Sequence, residues 1–260
     1  MVIPQYLPKD FLRRLTKDKI TIIIGIPTQY YHLLIAARRR QFTTNYLKYC
    51  ISGAAPLPVS VIDSFKKTFG VDIIEGYGLT ETTAAISVNP AGHTKPGSVG
   101  FPVEGVEIKI VDEQGNALPP NQCGEIWVKG EMVMRGYYNQ PEYTSEVMKQ
   151  AWFATGDIGY QDDDGYLYIT DRKKDIIIKG GFNISPREIE EVILEHPKVK
   201  EVAVIGHKDK EGREELIKAF VVLAQNEKLT PEAIIRHCRE RLTTYKIPDS
   251  VEFVESLPKS

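Results

Sequence analysis

The order of apolar segments in the first ninety residues constrains the fold of this chain more than any other feature. Short strand-like runs alternate with helical patterns, three of each. In chain order they are a helix at 9–17, a strand at 20–24, a helix from Pro27, a strand at 47–51, a helix from Pro58 that ends at Gly70, and a strand at 71–74. Parallel strands with helical crossovers bury such segments best. Residues 1–97 are therefore predicted to form the α/β portion of a large domain.

The signals change between residues 98 and 170. Short strands are predicted here, for example at 106–111 and 125–128, separated by Gly, Pro and Asp-Gly turns. The clearest hairpin places the turn Asp162–Gly165 between strands at 158–160 and 166–169. This region is predicted to be a β-rich, barrel-like subdomain of the same large domain.

A charged segment, residues 171–175, follows and is predicted to be a hinge. Residues 176–260 then give the order β-α-β-β-α-β, which is typical of a small ferredoxin-like α+β domain. Its first helix, predicted at 186–195, carries Ile189 and Ile193 on one face, so that face can cover a small sheet. The overall prediction is an α/β protein with a partial large domain and an incomplete small C-terminal domain.

Composition excludes several functional classes. The 260 residues carry a net charge of −2, so there is no basic excess for a nucleic acid. Three widely spaced cysteines, Cys50, Cys123 and Cys238, form no metal or disulfide pattern and favour a reducing compartment. No apolar run approaches the ~20 residues of a membrane span, and the N-terminus lacks signal-peptide features. A cytoplasmic location is expected, with peripheral membrane contact left open and the oligomeric state undetermined.

The most informative segment is Glu75–Thr82, with the sequence EGYGLTET. Gly76 and Gly78 permit close approach of a ligand, and Tyr77 between them offers a flat ring on which a base could stack. Thr80 supplies a hydroxyl for a phosphate oxygen, and Glu81 supplies a hard anionic oxygen suited to Mg²⁺ beside phosphates. A magnesium nucleotide site is one interpretation. A solvated β-turn containing glycine is an equally good one from composition alone.

Three other segments are candidates for the same site. Gly53, Ala54 and Ala55 lie between a strand end and a helix start, where α/β sheets commonly bind ligands, although a plain connection is the simpler interpretation. Asp157, in Thr155-Gly156-Asp157, could accept both hydroxyls of a ribose, and Arg172 could add a cation. A structural turn and a solvated arginine are the alternatives.

Gly180 and Gly181 follow a strand and could expose bare backbone along a narrow channel. A tight turn that needs positive φ is the simpler interpretation. The five histidines show no metal-binding spacing such as H-E-x-x-H, and no Ser/His/Asp signature is present, so a hydrolase is not indicated.

Taken in order, these segments resemble the adenylate-forming superfamily, in particular fatty-acyl-CoA ligases and aryl-CoA ligases. The resemblance is collinear over nearly the whole chain. It rests on residues 53–57 (GAAPL), 76–81 (GYGLTE), 124–130 (GEIWVKG), 136–137 (GY), 155–157 (TGD), 171–175 (DRKKD) and 180–190 (GGFNISPREIE).

The resemblance implies roles for individual residues. Tyr77 would stack on adenine, Thr80 would contact phosphate, and Glu81 would bind Mg²⁺. Gly53, Ala54 and Ala55 would border the adenine and acyl pocket. Asp157 would hold the ribose hydroxyls with help from Arg172, Lys174 would be the hinge about which the small domain turns, and Gly180 and Gly181 would flank the pantetheine channel.

The implied activity is an ATP-dependent acyl-CoA ligase. A carboxylic acid, with a medium or long fatty acid as the leading candidate, would attack the α-phosphate of ATP, and coenzyme A would then take the acyl group from the adenylate. ATP or AMP, Mg²⁺ and coenzyme A are thus the expected small molecules. An acyl-AMP ligase that serves a carrier protein and a non-catalytic nucleotide-binding module are the competing interpretations.

The sequence departs from the family in two respects. The Ser/Thr/Gly-rich triphosphate loop that ends in Pro-Lys-Gly is absent, and so is the C-terminal lysine expected shortly after Lys259. The chain is therefore expected to be a truncated piece of a ligase, with poor ATP–pyrophosphate exchange and an uncovered apolar sheet surface.

Overall fold

The computed structural model describes residues 6–37, 45–208, 215–224 and 226–258. The chain divides into two units, which are described separately. Unit 1 comprises residues 1–155 and 159–169, and unit 2 comprises residues 156–158 and 170–260. The Arg38–Arg40 run, interpreted from sequence as solvated charge, and the final residues of the chain lie outside the described ranges. No described helix is both long enough and apolar enough to cross a bilayer.

Unit 1 begins with alternating helices and strands. The elements are α1 (Pro8–Lys17), β1 (Ile22–Gly25), α2 (Pro27–Ala37), β2 (Tyr49–Ser52), α3 (Val59–Phe69) and β3 (Ile73–Leu79). Strands β1, β2 and β3 pair in parallel, and helices α1, α2 and α3 share one hydrophobic core with them. Gly70 ends α3 in the left-handed conformation, at φ 72°, as its position in the sequence predicts. The predicted α/β fold class is confirmed.

Strand β3 continues to Leu79, five residues beyond the end of the predicted strand at Ile74. A 3₁₀ turn (Thr80–Thr82) follows it, and the chain then returns as β4 (Ala84–Val88), antiparallel to β3. The short strand β5 (Phe101–Pro102) pairs with β4 and completes a five-stranded sheet in the order β1-β2-β3-β4-β5. Residues 75–79, for which a glycine turn was an open interpretation, are therefore strand.

The β-rich region forms a second sheet. Its strands are β6 (Val106–Val111), β7 (Gly124–Gly130), β8 (Met148–Lys149), β9 (Trp152–Gln161) and β10 (Leu167–Arg172). The helix α4 (Pro141–Val147) lies between β7 and β8 in the chain. The strand order is β10-β9-β7-β6, with β8 beside β9. Ile110, Ile126, Val128 and Leu167 of this sheet form a buried cluster with Ile86 of β4. Both tryptophans of the chain, Trp127 and Trp152, lie in unit 1, so intrinsic tryptophan fluorescence reports on this unit alone.

Unit 2 contains the predicted β-α-β-β-α-β order with one additional strand. Its elements are β11 (Ile177–Lys179), β12 (Phe182–Ile184), α5 (Pro186–Leu194), β13 (Val199–Lys208), β14 (Glu215–Leu223), α6 (Pro231–Arg239) and β15 (Ser250–Phe253). Strands β13, β14 and β15 form one sheet, and β11 pairs with β12 as a separate hairpin. Ile189 and Ile193 of α5 are fully buried in the core of this unit, as predicted.

Two histidines meet in unit 2. The rings of His196 and His237 are T-shaped, with centroids 5.2 Å apart. His237 Nε2 lies 2.9 Å from the carbonyl oxygen of Val192, and His196 Nδ1 accepts a hydrogen bond from the backbone N–H of Lys198. Burial, the neighbouring His237 and nearby cations lower the pKa of His196 below its usual 6.5. Folding therefore favours the neutral ring.

The stability of unit 2 is expected to fall as the pH drops below 6.5. Since the pKa of His196 is lower in the folded chain than in the unfolded chain, its contribution is complete above pH 6.5 and is lost as the pH falls toward the folded value. Thermal melts followed by far-UV circular dichroism between pH 7.5 and 5.5 would measure this. His196→Gln should flatten the dependence, whereas His93→Gln, in a loop of unit 1, should leave it unchanged. Equal slopes in all three proteins would contradict the assignment.

Candidate functional site

The glycine-tyrosine segment, Gly76–Gly78, is part of β3. It lies beyond the ends of the parallel strands β1 and β2, where β3 continues. Ser52, the last residue of β2, pairs in register with Glu75 of β3. Gly53 begins the loop after β2, and a Cβ on it would lie 3.4 Å from the carbonyl oxygen of Gly76. The candidate residue Gly53 thus lies beside the candidate residue Gly76. Ala54 has φ 67°, a left-handed conformation that alanine rarely adopts.

Tyr77 is only partly buried. It packs against the Ile86, Ile110 and Ile126 cluster. The ring is therefore partly in the core and partly accessible. Its suggested role as an adenine platform stays a prediction.

Gly78 is required by the backbone around it. Its neighbours in the returning strand are Ala84 and Ala85, and the chain enters that strand through Thr83 and Ala84 with φ angles of 54° and 90°. A Cβ on Gly78 would lie 1.7 Å from the carbonyl oxygen of Ala84, well inside contact distance. The register between β3 and β4 shifts at this point, between Tyr77 and Gly78. The glycine therefore allows the strand to bulge directly before Thr80 and Glu81.

The 3₁₀ turn that carries Thr80 and Glu81 is held by Thr82. The buried Oγ1 of Thr82 accepts a hydrogen bond from the N–H of Leu79 and lies within hydrogen-bond distance of the carbonyl oxygens of Leu79 and Ala84. Thr80 is exposed at the tip of the turn and Glu81 is partly buried. This arrangement fixes the turn and presents the Thr80 hydroxyl to solvent.

Glu81 is oriented by a segment more than fifty residues away in the chain. The hydroxyl of Tyr137 donates a 2.8 Å hydrogen bond to Glu81 Oε1. The backbone N–H of Met134 donates to the Glu81 carbonyl oxygen at 2.7 Å, and Thr83 Oγ1 donates to the carbonyl oxygen of Met132 at 2.8 Å. Burial and the hydrogen bond to Glu81 raise the pKa of Tyr137 to about 12, so the phenol keeps its proton and remains the donor.

Sequence reasoning found the Gly136-Tyr137 pair but assigned it no role. The structure identifies Tyr137 as the residue that positions Glu81. The only sequence signal for this residue was a tyrosine that follows a glycine. The contact itself could not be predicted, because Tyr137 and Glu81 are 56 positions apart in the chain. Thr82 was likewise not singled out.

The fit of a divalent cation can be judged from Glu81. Tyr137 occupies Oε1, which leaves Oε2 as the oxygen that could face a cation. No group of three or more His, Cys, Asp or Glu side chains suited to a metal occurs among the described residues. Mg²⁺ is often bound through one or two carboxylates plus substrate phosphates rather than by a protein cage. Glu81 fits that mode of binding.

A buried hydroxyl also lies at this edge of the sheet. Ser52 Oγ, directly before Gly53, is fully buried and has no hydrogen-bond partner in the described part of the chain. Such a group is normally satisfied by an ordered water or a bound molecule. Ser52 is not among the site residues predicted from sequence.

The second set of candidates belongs to unit 2. Asp157 is only 3% exposed, and its Oδ1 accepts a 3.0 Å hydrogen bond from Nε of the exposed Arg172. Asp157 lies within β9 rather than in a turn, so the structural-turn interpretation of Thr155-Gly156-Asp157 is wrong. Gly156 is nonetheless irregular, with φ 74°. The structure thus brings Asp157 and Arg172 together as an ion pair.

The remaining candidates follow along unit 2. Lys174 is exposed between β10 and β11. Gly180 and Gly181 form the exposed tip of the β11–β12 hairpin, with φ 58° and 80°, so the tight-turn interpretation is confirmed for both. The hairpin is anchored by Lys179, whose Nζ lies 2.7 Å from both carboxylate oxygens of Asp249. A role in a ligand channel stays a prediction.

Comparisons with known proteins agree on one family. A family model described as "AMP-binding enzyme" matches residues 1–138, and one described as "AMP-binding enzyme C-terminal domain" matches residues 188–260. The long-chain-fatty-acid–CoA ligase of Bacillus subtilis (strain 168) is 42% identical over 262 residues, covering 100% of this chain and 47% of the relative.

Solved structures give the same result. ATP-bound MatB from Rhodopseudomonas palustris matches with a TM-score of 0.92 and 35% identity, over 100% of this chain and 51% of that one. The anthranilate CoA ligase AuaEII in complex with anthranoyl-AMP matches with a TM-score of 0.86 and 35% identity, over 100% of this chain and 51% of that one. The chain therefore spans about half the length of the proteins it matches.

Proposed function

We propose, because this chain belongs to the family of AMP-binding enzymes, that the whole protein is an acyl-CoA ligase that activates a fatty carboxylic acid through an acyl-adenylate. The observation that carries the proposal is the 42% identity, over the full length of this chain, to a long-chain-fatty-acid–CoA ligase. The orientation of Glu81 by Tyr137 supports it, because a fixed carboxylate beside an exposed threonine hydroxyl suits a nucleotide phosphate.

In the first step of the proposed reaction, a carboxylate oxygen of the acid attacks the α-phosphorus of ATP. The bond from that phosphorus to the bridging oxygen breaks, and pyrophosphate leaves. Thr80 donates its hydroxyl to a phosphate oxygen, Tyr77 stacks on adenine, and Gly53, Ala54 and Ala55 border the adenine and acyl pocket. Glu81 would hold Mg²⁺, which when bound supplies positive charge against the repulsion between two anions.

In the second step, the coenzyme A sulfur attacks the acyl carbonyl carbon and AMP leaves, while the thiol proton passes to solvent. Asp157 accepts hydrogen bonds from the ribose hydroxyls, and Arg172, whose Nε donates a hydrogen bond to Asp157 Oδ1, holds that carboxylate in place. Lys174 is proposed as the hinge of the small domain, and Gly180 and Gly181 as the backbone that flanks pantetheine. The domain boundaries predicted at 97/98 and around residues 171–175 belong to the same proposal.

The 260-residue chain alone is proposed to perform adenylation poorly, because it contains neither the triphosphate loop nor the C-terminal lysine of the family pattern. A cytoplasmic location is proposed from the wide spacing of the three cysteines in the sequence. Burial raises the pKa of Cys50 to about 12 and of Cys238 to about 11, so neither is a reactive thiolate at neutral pH.

A direct test compares the chain with a longer protein that contains it. Each is incubated with ATP, Mg²⁺ and a panel of fatty and aryl acids, first for pyrophosphate exchange and then with coenzyme A for thioester formation. We expect both activities in the longer protein with a fatty acid, and weak exchange in the chain alone. Transfer to an acyl carrier protein but not to coenzyme A would indicate the acyl-AMP ligase alternative. AMP binding without turnover in either protein would indicate a non-catalytic module.

A further inference from the structure

Helix α4 contacts the segment that orients Glu81. The helix has seven residues, Pro141–Val147, and none of the residues in this fully described stretch is buried. So short a helix gains little stability from its own backbone hydrogen bonds. Its contacts with the neighbouring segment are therefore informative, and the most specific of them is made by Thr144.

The hydroxyl of Thr144 joins both ends of the turn that precedes α4. It donates its proton to the carbonyl oxygen of Gln140 at 2.8 Å, which leaves its lone pairs to accept a 2.9 Å hydrogen bond from the backbone N–H of Tyr137. The turn is also closed on itself, because the N–H of Gln140 donates to the carbonyl oxygen of Tyr137 at 3.2 Å. One side-chain oxygen thus ties the backbone of Tyr137 to α4.

The close approach of Thr144 requires glycine at position 136. A Cβ on Gly136 would lie 2.7 Å from Thr144 Cγ2 and 3.0 Å from Thr144 Oγ1, and the φ of Gly136 is 152°. A side chain here would push Thr144 away from the N–H of Tyr137. Gly136 and Thr144 therefore act together on the backbone of Tyr137.

Helix α4 also contacts the ring of Tyr137. The ring centroids of Tyr137 and Tyr143 are 5.1 Å apart, and the rings are tilted by 40°. At the far end of the Tyr137 ring, the hydroxyl donates its 2.8 Å hydrogen bond to Glu81 Oε1. Because the ring is rigid, a small rotation of the Tyr137 backbone moves this hydroxyl by a larger distance, and hydrogen bonds weaken steeply when their geometry is lost. The backbone position of Tyr137 thus governs the orientation of the Glu81 carboxylate.

We propose that Thr144 is a positioning residue for adenylation, which acts through Tyr137 on Glu81. The Thr144 hydroxyl sets the backbone of Tyr137, the phenol holds Oε1 of Glu81, and Oε2 is left as the oxygen for Mg²⁺. Thr144 acts on the carboxylate without contacting substrate. This role rests on the proposed function, although both hydrogen bonds that carry it lie within unit 1.

The alternative is that Thr144 only stabilises the end of a helix. Ser145 provides the comparison, because its Oγ donates a 2.7 Å hydrogen bond to the carbonyl oxygen of Glu142 within α4 itself. Ser145→Ala is therefore the matched control, since it removes a hydroxyl from the neighbouring position of the same helix. Thr144→Val removes the hydroxyl but keeps the branched shape, and Thr144→Ser keeps the hydroxyl.

The first test needs no nucleotide and uses NMR of this chain. Amide hydrogen exchange of Tyr137 should be at least ~5-fold faster in Thr144→Val, because the N–H loses its acceptor, and should return toward the original rate in Thr144→Ser. The carbon-13 shift of the Glu81 carboxyl carbon should change in the same direction in Thr144→Val and Tyr137→Phe. An unchanged Glu81 shift in Thr144→Val would overturn the proposal, and so would an equal change in Ser145→Ala.

The second test measures ATP–pyrophosphate exchange in a longer protein that contains this chain. Thr144→Val should raise the Mg²⁺ concentration for half-maximal exchange about threefold, less than the loss of a group that contacts a metal ligand directly. In a Tyr137→Phe background the same substitution should have no further effect, because a residue that acts through another is not additive with it. Additive effects, or an equal shift in Ser145→Ala, would overturn the proposal.

The two tests separate this role from the proposed function. If the unchanged longer protein shows no exchange with any acid, the proposed function is wrong, whereas the NMR results still decide whether Thr144 orients Glu81. Denaturant unfolding followed by tryptophan fluorescence verifies that Thr144→Val is folded. If that variant does not fold, Thr144→Ala removes the same hydroxyl with a smaller side chain, and the same criteria apply to it.

Discussion

Replacing Gly78 with alanine should destabilise unit 1 by about 3 kcal/mol or more, at the upper end of what an added methyl group costs in a packed site. The new Cβ would lie 1.7 Å from the carbonyl oxygen of Ala84, which is backbone and cannot rotate away. The β3–β4 pairing would have to open at the bulge, and the turn that presents Thr80 and Glu81 would move with it. Denaturant unfolding followed by the fluorescence of Trp127 and Trp152 measures this unit directly.

Gly53→Ala is the matched control for that experiment. A Cβ on Gly53 would have a single neighbour at 3.4 Å, an ordinary contact, and Gly53 is not among the residues with positive φ. Its free energy of unfolding should change by less than about 1 kcal/mol. If Gly78→Ala were as stable as Gly53→Ala, the close approach of β4 to β3 would not exist in solution, and the account of this turn would be wrong.

Replacing Glu81 with glutamine should reduce carboxylate-dependent ATP–pyrophosphate exchange at least ~100-fold in a longer protein that contains this chain, because a neutral amide cannot replace a hard anionic ligand beside phosphates. Tyr137→Phe should have a smaller effect, about tenfold, as is usual for a residue that orients a metal ligand. The Tyr137 variant should also need more Mg²⁺ for half-maximal exchange, and high Mg²⁺ should restore part of its activity.

Glu107→Gln controls for the loss of one negative charge in unit 1. Glu107 is exposed on β6 and pairs with Lys129, so its replacement should leave exchange unchanged. Full activity of Glu81→Gln at low Mg²⁺ would contradict the role assigned to that carboxylate. An equal loss in Glu81→Gln and Glu107→Gln would indicate a general charge effect.

Local chemistry explains which elements could be predicted from sequence. The Pro27 start of α2, the Gly70 end of α3 and the limits of β6 are where the sequence predicts them, because proline, glycine and strict alternation act within a few residues. The family resemblance is confirmed, since it depended on the order of motifs rather than on any contact.

Contacts between distant segments explain what was missed. The glycines at 76 and 78 favour a turn locally, yet β4 pairs with them and makes the segment a strand. Asp157 is in a strand for the same reason, since β9 runs from Trp152 to Gln161 within a sheet. Tyr137 could not be assigned to Glu81 because 56 positions separate them. The strand β12 was also missed, since its three residues form a strand only by pairing with β11.

The central claim is that Tyr77 is the platform on which the adenine of bound AMP stacks, and calorimetric titration of this chain with AMP and Mg²⁺ tests it most directly. We predict saturable 1:1 binding that Tyr77→Ala weakens at least ~10-fold, since base stacking is worth about 1–3 kcal/mol. Tyr138→Ala, at a 91% exposed position, should bind AMP as the unchanged chain does. AMP binding that is absent, or equally tight in all three proteins, would contradict the claim.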